Sequence, residues 1–328
     1  MDRTLAVAAM SIWLLGRLAQ AAMVLAVMSV VVHGLMGLMP GDPIDLMIAS
    51  DPNLTAADAI RLKALYGLDQ PWGQRYLAWA GQVVQGELGY SRLFAQPVLA
   101  VIGPALVNSL TLMLSALALS LLLAVPLGMV AALRPGSAVD HAINAFAFAS
   151  ASLPTFWLGL MLMLVFAVSL GWLPAGGMQS LGGDGGRVID SLRHMALPVA
   201  TLAIAGLGQY ARHTRAAMLA EAGQDYIRTA RAKGCGPARI ALKHQWRNAL
   251  LPLVTLLGLE FGSLFSGALI TETVFGWPGM GKLINDAVMG NDFNLALTAL
   301  MLATAMTLAG SLLADMAMAR LDPRISLR

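Results

Sequence analysis

The chain has 328 residues, 58% hydrophobic and 12% charged, with a mean hydropathy of +0.70. Soluble chains carry about 25% charged residues, so a water-facing globular surface is excluded and a bilayer is the solvent that fits. A single cysteine, Cys235, excludes a disulfide scaffold, and a net charge of +3 over this length is too slight to point to nucleic acid.

A hydrocarbon core about 30 Å thick takes roughly 20 apolar residues as a helix. Six stretches qualify in chain order: Leu18–Leu38, Ala105–Leu133, Ala142–Pro174, Met195–Ala211, Ala249–Thr271 and Phe293–Ala314. None alternates in polarity as a barrel strand must, and a helix satisfies its own backbone in lipid. The expected fold is therefore an all-α integral membrane protein with six transmembrane helices. The third stretch is long enough to tilt or to include an interfacial piece, and the fourth is short. Arg3 ahead of an apolar run resembles a signal peptide, but Arg17 interrupts the run. The first stretch is read as an uncleaved span.

Six spans place both termini on one side. The segment between spans four and five carries Arg212, Arg215, Arg228, Arg231, Lys233, Arg239, Lys243 and Arg247. With Arg3, Arg17, Arg134, Arg320, Arg324 and Arg328, one face holds fourteen of the 21 basic residues, and the other holds seven beside eleven of the 18 acids. The first face is expected to be cytoplasmic. The chain divides into residues 1–38 (cytoplasmic segment and first span), 39–104 (external), 105–318 (a five-helix core containing the cytoplasmic loop 212–248) and a tail, 319–328. In the external segment, short amphipathic helices are expected over Thr55–Tyr66 and Gln74–Val84.

The cytoplasmic loop carries the most information. Asp225 opens the helix-forming stretch Tyr226-Ile-Arg-Thr-Ala-Arg-Ala-Lys233. Gly234 is placed to end that helix in the left-handed conformation, and Gly236-Pro237 begins another. Asn248 and Pro252 lead into span five. On composition alone, such a basic loop equally serves as an anchor on anionic headgroups.

The residue order is more specific. Asp225-Tyr-Ile-Arg-Thr-Ala-Arg-Ala-Lys-Gly234, followed by Arg247-Asn-Ala-Leu-Leu-Pro252, resembles the coupling loop of ABC importer permeases of the dipeptide/oligopeptide/nickel group. Further matches are Gly41-Asp42-Pro43, Gly67-Leu-Asp69-Gln-Pro71, Gly86-Glu-Leu-Gly-Tyr90-Ser91, Ser152-Leu-Pro-Thr-Phe-Trp-Leu-Gly159, Glu272-Thr-Val-Phe-Gly-Trp277-Pro278-Gly279-Met-Gly281 and Leu321-Asp-Pro-Arg324. Their order and spacing resemble the first of the two permeases in such systems. The shared form of the loop motif begins Glu-Ala-Ala; here Arg228, Thr229 and Ala230 stand at those positions. Gly234 lies further from Pro252 than in sugar-type permeases, and both departures are usual for the peptide group.

The resemblance implies a type I importer core related to the methionine permease, with one added N-terminal span. It implies a second related permease, two ATPase subunits that bind ATP and magnesium, and an external substrate-binding protein. This chain would hold no cofactor and catalyse no bond chemistry. Asp225, Tyr226, Arg228, Thr229, Ala230, Arg231, Ala232, Lys233, Gly234, Asn248 and Pro252 would form the ATPase-coupling loop. Asp225 and Arg228 are candidates for polar contact, and Ala230 and Gly234 for close approach. Asp42, Asp69, Tyr90, Trp277, Pro278 and Gly279 would form the docking or gating surface on the outer face. The expected location is the bacterial inner membrane, and the expected cargo is di- or oligopeptide, with nickel, metal chelates, glutathione and opines as alternatives.

Glu260 is a carboxylate within span five, costly unless it faces a cavity or partner. It either lines the pathway or makes a structural hydrogen bond. Glu272, at the outer end of that span, faces the pore or sits at the headgroups. Gly276-Trp-Pro-Gly-Met-Gly-Lys282 satisfies GxxxxGK, but Leu283 cannot ligate magnesium and Pro278 removes an amide, so a phosphate loop is rejected. His33 stands alone on an apolar stretch, which favours packing over metal binding. No Ser/His/Asp or paired-carboxylate set is present to suggest an enzyme. An ion-coupled carrier would need ionisable groups on several spans and an inverted repeat, and a haem-bearing anchor would need paired His. Neither pattern is seen.

Overall fold

The computed structural model describes residues 3–38, 55, 61, 70–180, 187–261 and 268–321. The expected helix over Thr55–Tyr66 lies outside the described residues, apart from Thr55 and Arg61. Asp42, Asp69 and the tail from Asp322 also lie outside them.

The first helix, α1 (Arg3–Gly37), begins well before the expected span. After it come α2 (Trp72–Val84) and a two-residue antiparallel pair, β1 (Tyr90–Ser91) with β2 (Gln96–Pro97). α3 (Val98–Leu133) follows directly from β2 and contains Pro104 and Pro126. α4 (Ala138–Ser152) and α5 (Thr155–Leu162) come next, and α5 loosens into a π-helical turn, Met163–Ser169. α6 (Arg187–Ala222) is 36 residues long. The remainder is α7 (Asp225–Ala232), a short turn with a π-helical stretch over Ile240–Gln245, α8 (Trp246–Phe261), α9 (Leu269–Val274), α10 (Met280–Met289) and α11 (Phe293–Leu321).

Among the described residues four helices are long and apolar enough to cross a membrane: Ile12–Gly37, Val98–Leu133, Val188–Ala222 and Phe293–Met316. The expected third span is not one straight helix. α4 and its continuation through Ser169 are bent by 102°. The cause is Pro154, which lacks an N–H and pushes the residue before it out of helical conformation; Leu153 sits at φ −79°, ψ 127°. Counting the bent pair as one span makes five. The fifth expected segment appears as α8 and α9, and the residues joining them lie outside the description. The fourth helix also runs past its expected end at Ala211. The first turns of the expected loop, Arg212 and Arg215 included, are therefore still α6.

The packing is that of helices in lipid, where small residues let backbones approach. α3 and α6 share the most extensive contact. A Cβ on Gly128 of α3 would lie 2.5 Å from the carbonyl oxygen of Ala211 and 2.7 Å from Cβ of Thr214. α1 packs antiparallel on α11. Arg17 pairs with Asp315 at 2.7 Å near one end. Near the other, buried His33 is ringed by Trp72, Tyr76, Trp79 and Phe293 with centroids 5.5–5.8 Å away. The ring cluster also seats α2, and Ser29 and Tyr76 hydroxyls meet at 2.9 Å. One apolar core joins α1, the start of α3, α10 and α11. A second joins the later half of α3 to α6 and α8. Large apolar side chains such as Leu122, Val27 and Val168 remain exposed, as helices facing lipid require.

Candidate functional site

The coupling helix expected from sequence is α7, two residues after the end of α6. Its last turn closes as the sequence reading requires. Gly234 adopts φ +75°, its N–H reaches the carbonyl of Arg231 at 2.9 Å, and the N–H of Cys235 reaches the carbonyl of Ala230 at 3.2 Å. This is the glycine-terminated helix ending that satisfies the last carbonyls, with the usual apolar contact beyond it. Cys235 packs on a small core of Ile227, Ala230 and Ile240.

One face of α7 is thereby turned in, and Ala230 belongs to that buried face. Asp225, Tyr226, Arg228, Thr229, Arg231, Ala232, Lys233 and Gly234 remain exposed, with Asp225 and Arg228 paired at 3.4 Å. The Thr229 hydroxyl donates back to the carbonyl of Asp225. Tyr226 donates to the carboxylate of Glu221 at the end of α6. Burial and the Glu221 carboxylate raise the Tyr226 pKa above its ordinary value, which keeps the hydroxyl a donor. Asn248 lies exposed in the first turn of α8. The buried amide of Gln245 donates to the carbonyl of Met218, tying the start of α8 to α6. Pro252 lies exposed within α8. The result is a polar, partly basic helix bonded at its start to the end of α6 and packed at its far end on Ile240, in the stretch that leads into α8.

The other constellation is the bend between α9 and α10. Glu272 is fully buried. Its carboxylate accepts from Ser109 Oγ at 2.5 Å, from the Lys282 N–H at 3.0 Å and from the Ala268 N–H at 3.2 Å. Ser109 Oγ in turn accepts from the Met280 N–H at 2.7 Å. Two amides of the glycine-rich bend are thus spent on the chain's own Glu272 and Ser109. Trp277 is also fully buried, with Nε1 donating to the Asn108 carbonyl at 3.1 Å, and Asn108 donates to the carbonyl of Pro278 at 2.9 Å. Gly279 is buried because no room exists for more; a Cβ there would lie 2.5 Å from the Glu272 carboxylate. Of the expected docking residues, Pro278 and Tyr90 are exposed.

Tyr90 heads the small hairpin, which is bound to the start of α11. Asp292 caps that helix through the Leu295 N–H at 3.2 Å, and its other oxygen accepts from Ser91 Oγ at 2.6 Å and Leu93 N–H at 2.9 Å. The backbone at Glu260 is helical in α8, and its side chain lies outside the described residues. A cavity of about 450 Å³ opens nearby between α9, α10 and α11, lined by Leu269, Ile284, Leu300, Ala303, Thr304, Thr307 and Leu308. Sequence reasoning missed Ser109, Asn108, Asp292 and the pair Asp140–Arg215. Asp292, a capping residue just before an apolar run, and Asp140, three residues after the cap Ser137, had local signals.

An exposed short helix thus stands between two long apolar helices, beside a core of closely packed small-residue helices. Solved structures share this fold. Two inward-facing structures of the MetNI methionine ABC transporter align at 18% identity with TM-scores of 0.54 and 0.55, covering 69% of this chain and 98% of theirs.

Residues 124–327 match the family described as binding-protein-dependent transport system inner membrane component, and the chain belongs to that family. Among its relatives is the oligopeptide transport system permease protein AppB of Bacillus subtilis, 40% identical over 287 residues, 87% of this chain and 90% of the relative. The di/tripeptide permease protein DppB of Pseudomonas aeruginosa is 37% identical over 89% of this chain and 91% of its own length. The dipeptide permease protein DppB of Escherichia coli K12 is 34% identical over 88% and 91%.

Proposed function

We propose that this chain is one of two permease subunits of an ATP-driven importer of di- and oligopeptides. It lies in the bacterial inner membrane with six spans, α8 and α9 together supplying the sixth, and with both termini cytoplasmic. ATP and magnesium bind in separate ATPase subunits, and this chain carries no cofactor. The observation that supports the reading best is the joint one: a relative 40% identical over 87% of the chain is an oligopeptide transport system permease protein, and the segment matched to the coupling loop is a largely exposed helix closed at its C-terminal end by Gly234. Importers of this kind work by alternating access, a two-state equilibrium that nucleotide binding shifts. Closure of the ATPases would pull α7, with it α6, bonded to α7 through Tyr226 and Glu221, and with α6 the start of α8, tied to it through Gln245 and Met218. The external hairpin and the Pro278 bend form the face on which a binding protein would deliver peptide. Glu272 contributes by holding that bend in shape.

The test is gentle purification of the tagged chain from its native membrane, with mass spectrometry of what accompanies it. A second six-span protein and one or two P-loop ATPases are expected. The isolated chain is expected to hydrolyse no ATP. Homogeneous chain alone, moving solute in proteoliposomes without ATP, would discard the reading. Ligand bound to the co-encoded binding protein decides among peptide, nickel, metal chelate, glutathione and opine.

A further inference from the structure

Arg215 and Asp140 take no part in the sites described so far. Arg215 sits two turns before the end of α6, and Asp140 lies in the first turn of α4. Their contact is bidentate: Nε to Oδ1 at 2.6 Å and Nη2 to Oδ2 at 2.7 Å. The Asp140 side chain is 3% exposed and that of Arg215 27%. Such forked pairs are directional as well as strong, because two parallel bonds fix the mutual orientation of the groups. The Asp140 carboxylate also receives the Gly136 N–H at 2.9 Å and the Asn144 amide at 2.6 Å. The Gly136 bond, with the Ser137 cap that accepts the Asp140 N–H at 3.2 Å, closes the α3–α4 turn, and the Asn144 bond lies within α4. The bond to Arg215 adds a link to another helix.

This link is one of three on a single face of α6. Residues 208, 212 and 215 are spaced four and three apart, so they share one side of the helix. A Cβ on Gly208 would lie 2.2 Å from the Ala147 carbonyl oxygen and 2.4 Å from Ser150 Oγ. The guanidinium of Arg212 lies 4.9 Å from the ring centre of Phe148. Arg215 then holds Asp140. α4 is therefore fixed along its length to the helix that runs into α7. At Leu153–Pro154, α4 turns into α5, whose Gly159 touches Phe275; a Cβ on Gly159 would be 3.1 Å from that ring. Phe275 immediately precedes the outer bend.

We propose that the Asp140–Arg215 pair is a latch that makes the broken pair α4–α5 move with the coupling helix. It gives the cytoplasmic motion a continuous path to the Gly276–Gly279 bend on the opposite side. Both residues are positioning residues, acting through α4. The proposal rests on the transporter reading, which supplies the motion to be transmitted. A contiguous chain of contacts is not itself coupling, so the test must read movement of the two ends separately.

The full complex with its partner subunits, in lipid nanodiscs and in a Cys235→Ser background, is spin-labelled in two pairs. One pair, Met23→Cys with Ala238→Cys, reports the cytoplasmic loop. The other, Met23→Cys with Leu160→Cys, reports α5. Distances are compared with and without magnesium and a non-hydrolysable ATP analogue. With the latch intact both distances shift. Arg215→Gln, which leaves the Gly136 and Asn144 bonds and the Gly208 and Arg212 contacts in place, is expected to keep the first shift and reduce the second. Asp140→Asn is expected to do the same, and it decides the matter if Arg215→Gln does not assemble. A full α5 shift in the variant that assembles overturns the latch. Failure of both distances to shift with the latch intact instead overturns the importer reading.

Discussion

Gly279→Ala adds one methyl group at a crowded point of the bend between α9 and α10. An ideal Cβ there lies 2.5 Å from Cδ and Oε1 of Glu272 and 2.6 Å from Oε2. Backbone strain is not involved, since Gly279 has φ −99° and any residue accepts that. The carboxylate has nowhere to go without releasing the Ser109 hydroxyl or the N–H groups of Lys282 and Ala268. A buried donor left unsatisfied costs about 1–3 kcal/mol. Losing one or two of them destabilises the bend by about 1–6 kcal/mol. At about 2 °C per kcal/mol for a chain of this size, the midpoint falls by roughly 2–12 °C. The assay is the fraction of complex still monodisperse on size exclusion after heating. Glu272→Ala alone also destabilises, because it orphans the same donors. In that background, however, the methyl group meets no carboxylate, and adding Gly279→Ala should cost less than about 0.5 kcal/mol. An equal penalty for Gly279→Ala in both backgrounds would refute the assignment of its crowding to Glu272.

Other substitutions test the remaining elements. Gly234→Ala forces an L-residue to φ +75°, costing about 1–2 kcal/mol, and should accelerate hydrogen exchange at the amides of Gly234 and Cys235. Gly208→Ala drives a methyl group into the Ala147 carbonyl. Overpacking of this kind costs about 1–3 kcal/mol, so the heated complex should lose monodispersity at a lower temperature. Asp292→Ala removes a helix cap, worth about 1 kcal/mol, together with both bonds to the hairpin. It should make the chain near Arg92 a site of limited proteolysis in intact membranes.

Much of this protein was legible because its strongest signals are local. Apolar runs of span length identify α1, α3, α6 and α11 without reference to any partner, and the glycine at 234 announces its helix ending before any contact is known. Pro154 stood in the sequence as a breaker, yet the length of the apolar run around it was read as room to tilt or to include an interfacial piece; the structure shows a 102° bend. The cytoplasmic loop was expected to begin at Arg212, since two arginines look like solvent-facing charge. Instead α6 continues, because Arg215 finds Asp140 and Arg212 finds Phe148, partners about 60 to 75 residues away along the chain.

Glu272 shows most clearly where reading by residue stops. A carboxylate at the end of a span faces a pore or headgroups by its position alone, and only packing reveals that Ser109, Ala268 and Lys282 enclose it. Hydropathy, glycine and proline act through the chain's own backbone and through the solvent, so the sequence by itself determined that this is a helical membrane protein, where most of its helices lie and which loop carries a short basic helix. Which polar groups meet across helices depends on rotation and approach distance, set by where a Gly128 or a Gly208 lets two backbones touch. Tertiary structure alone decided those meetings, and with them the shape of the outer bend and the latch between α4 and α6.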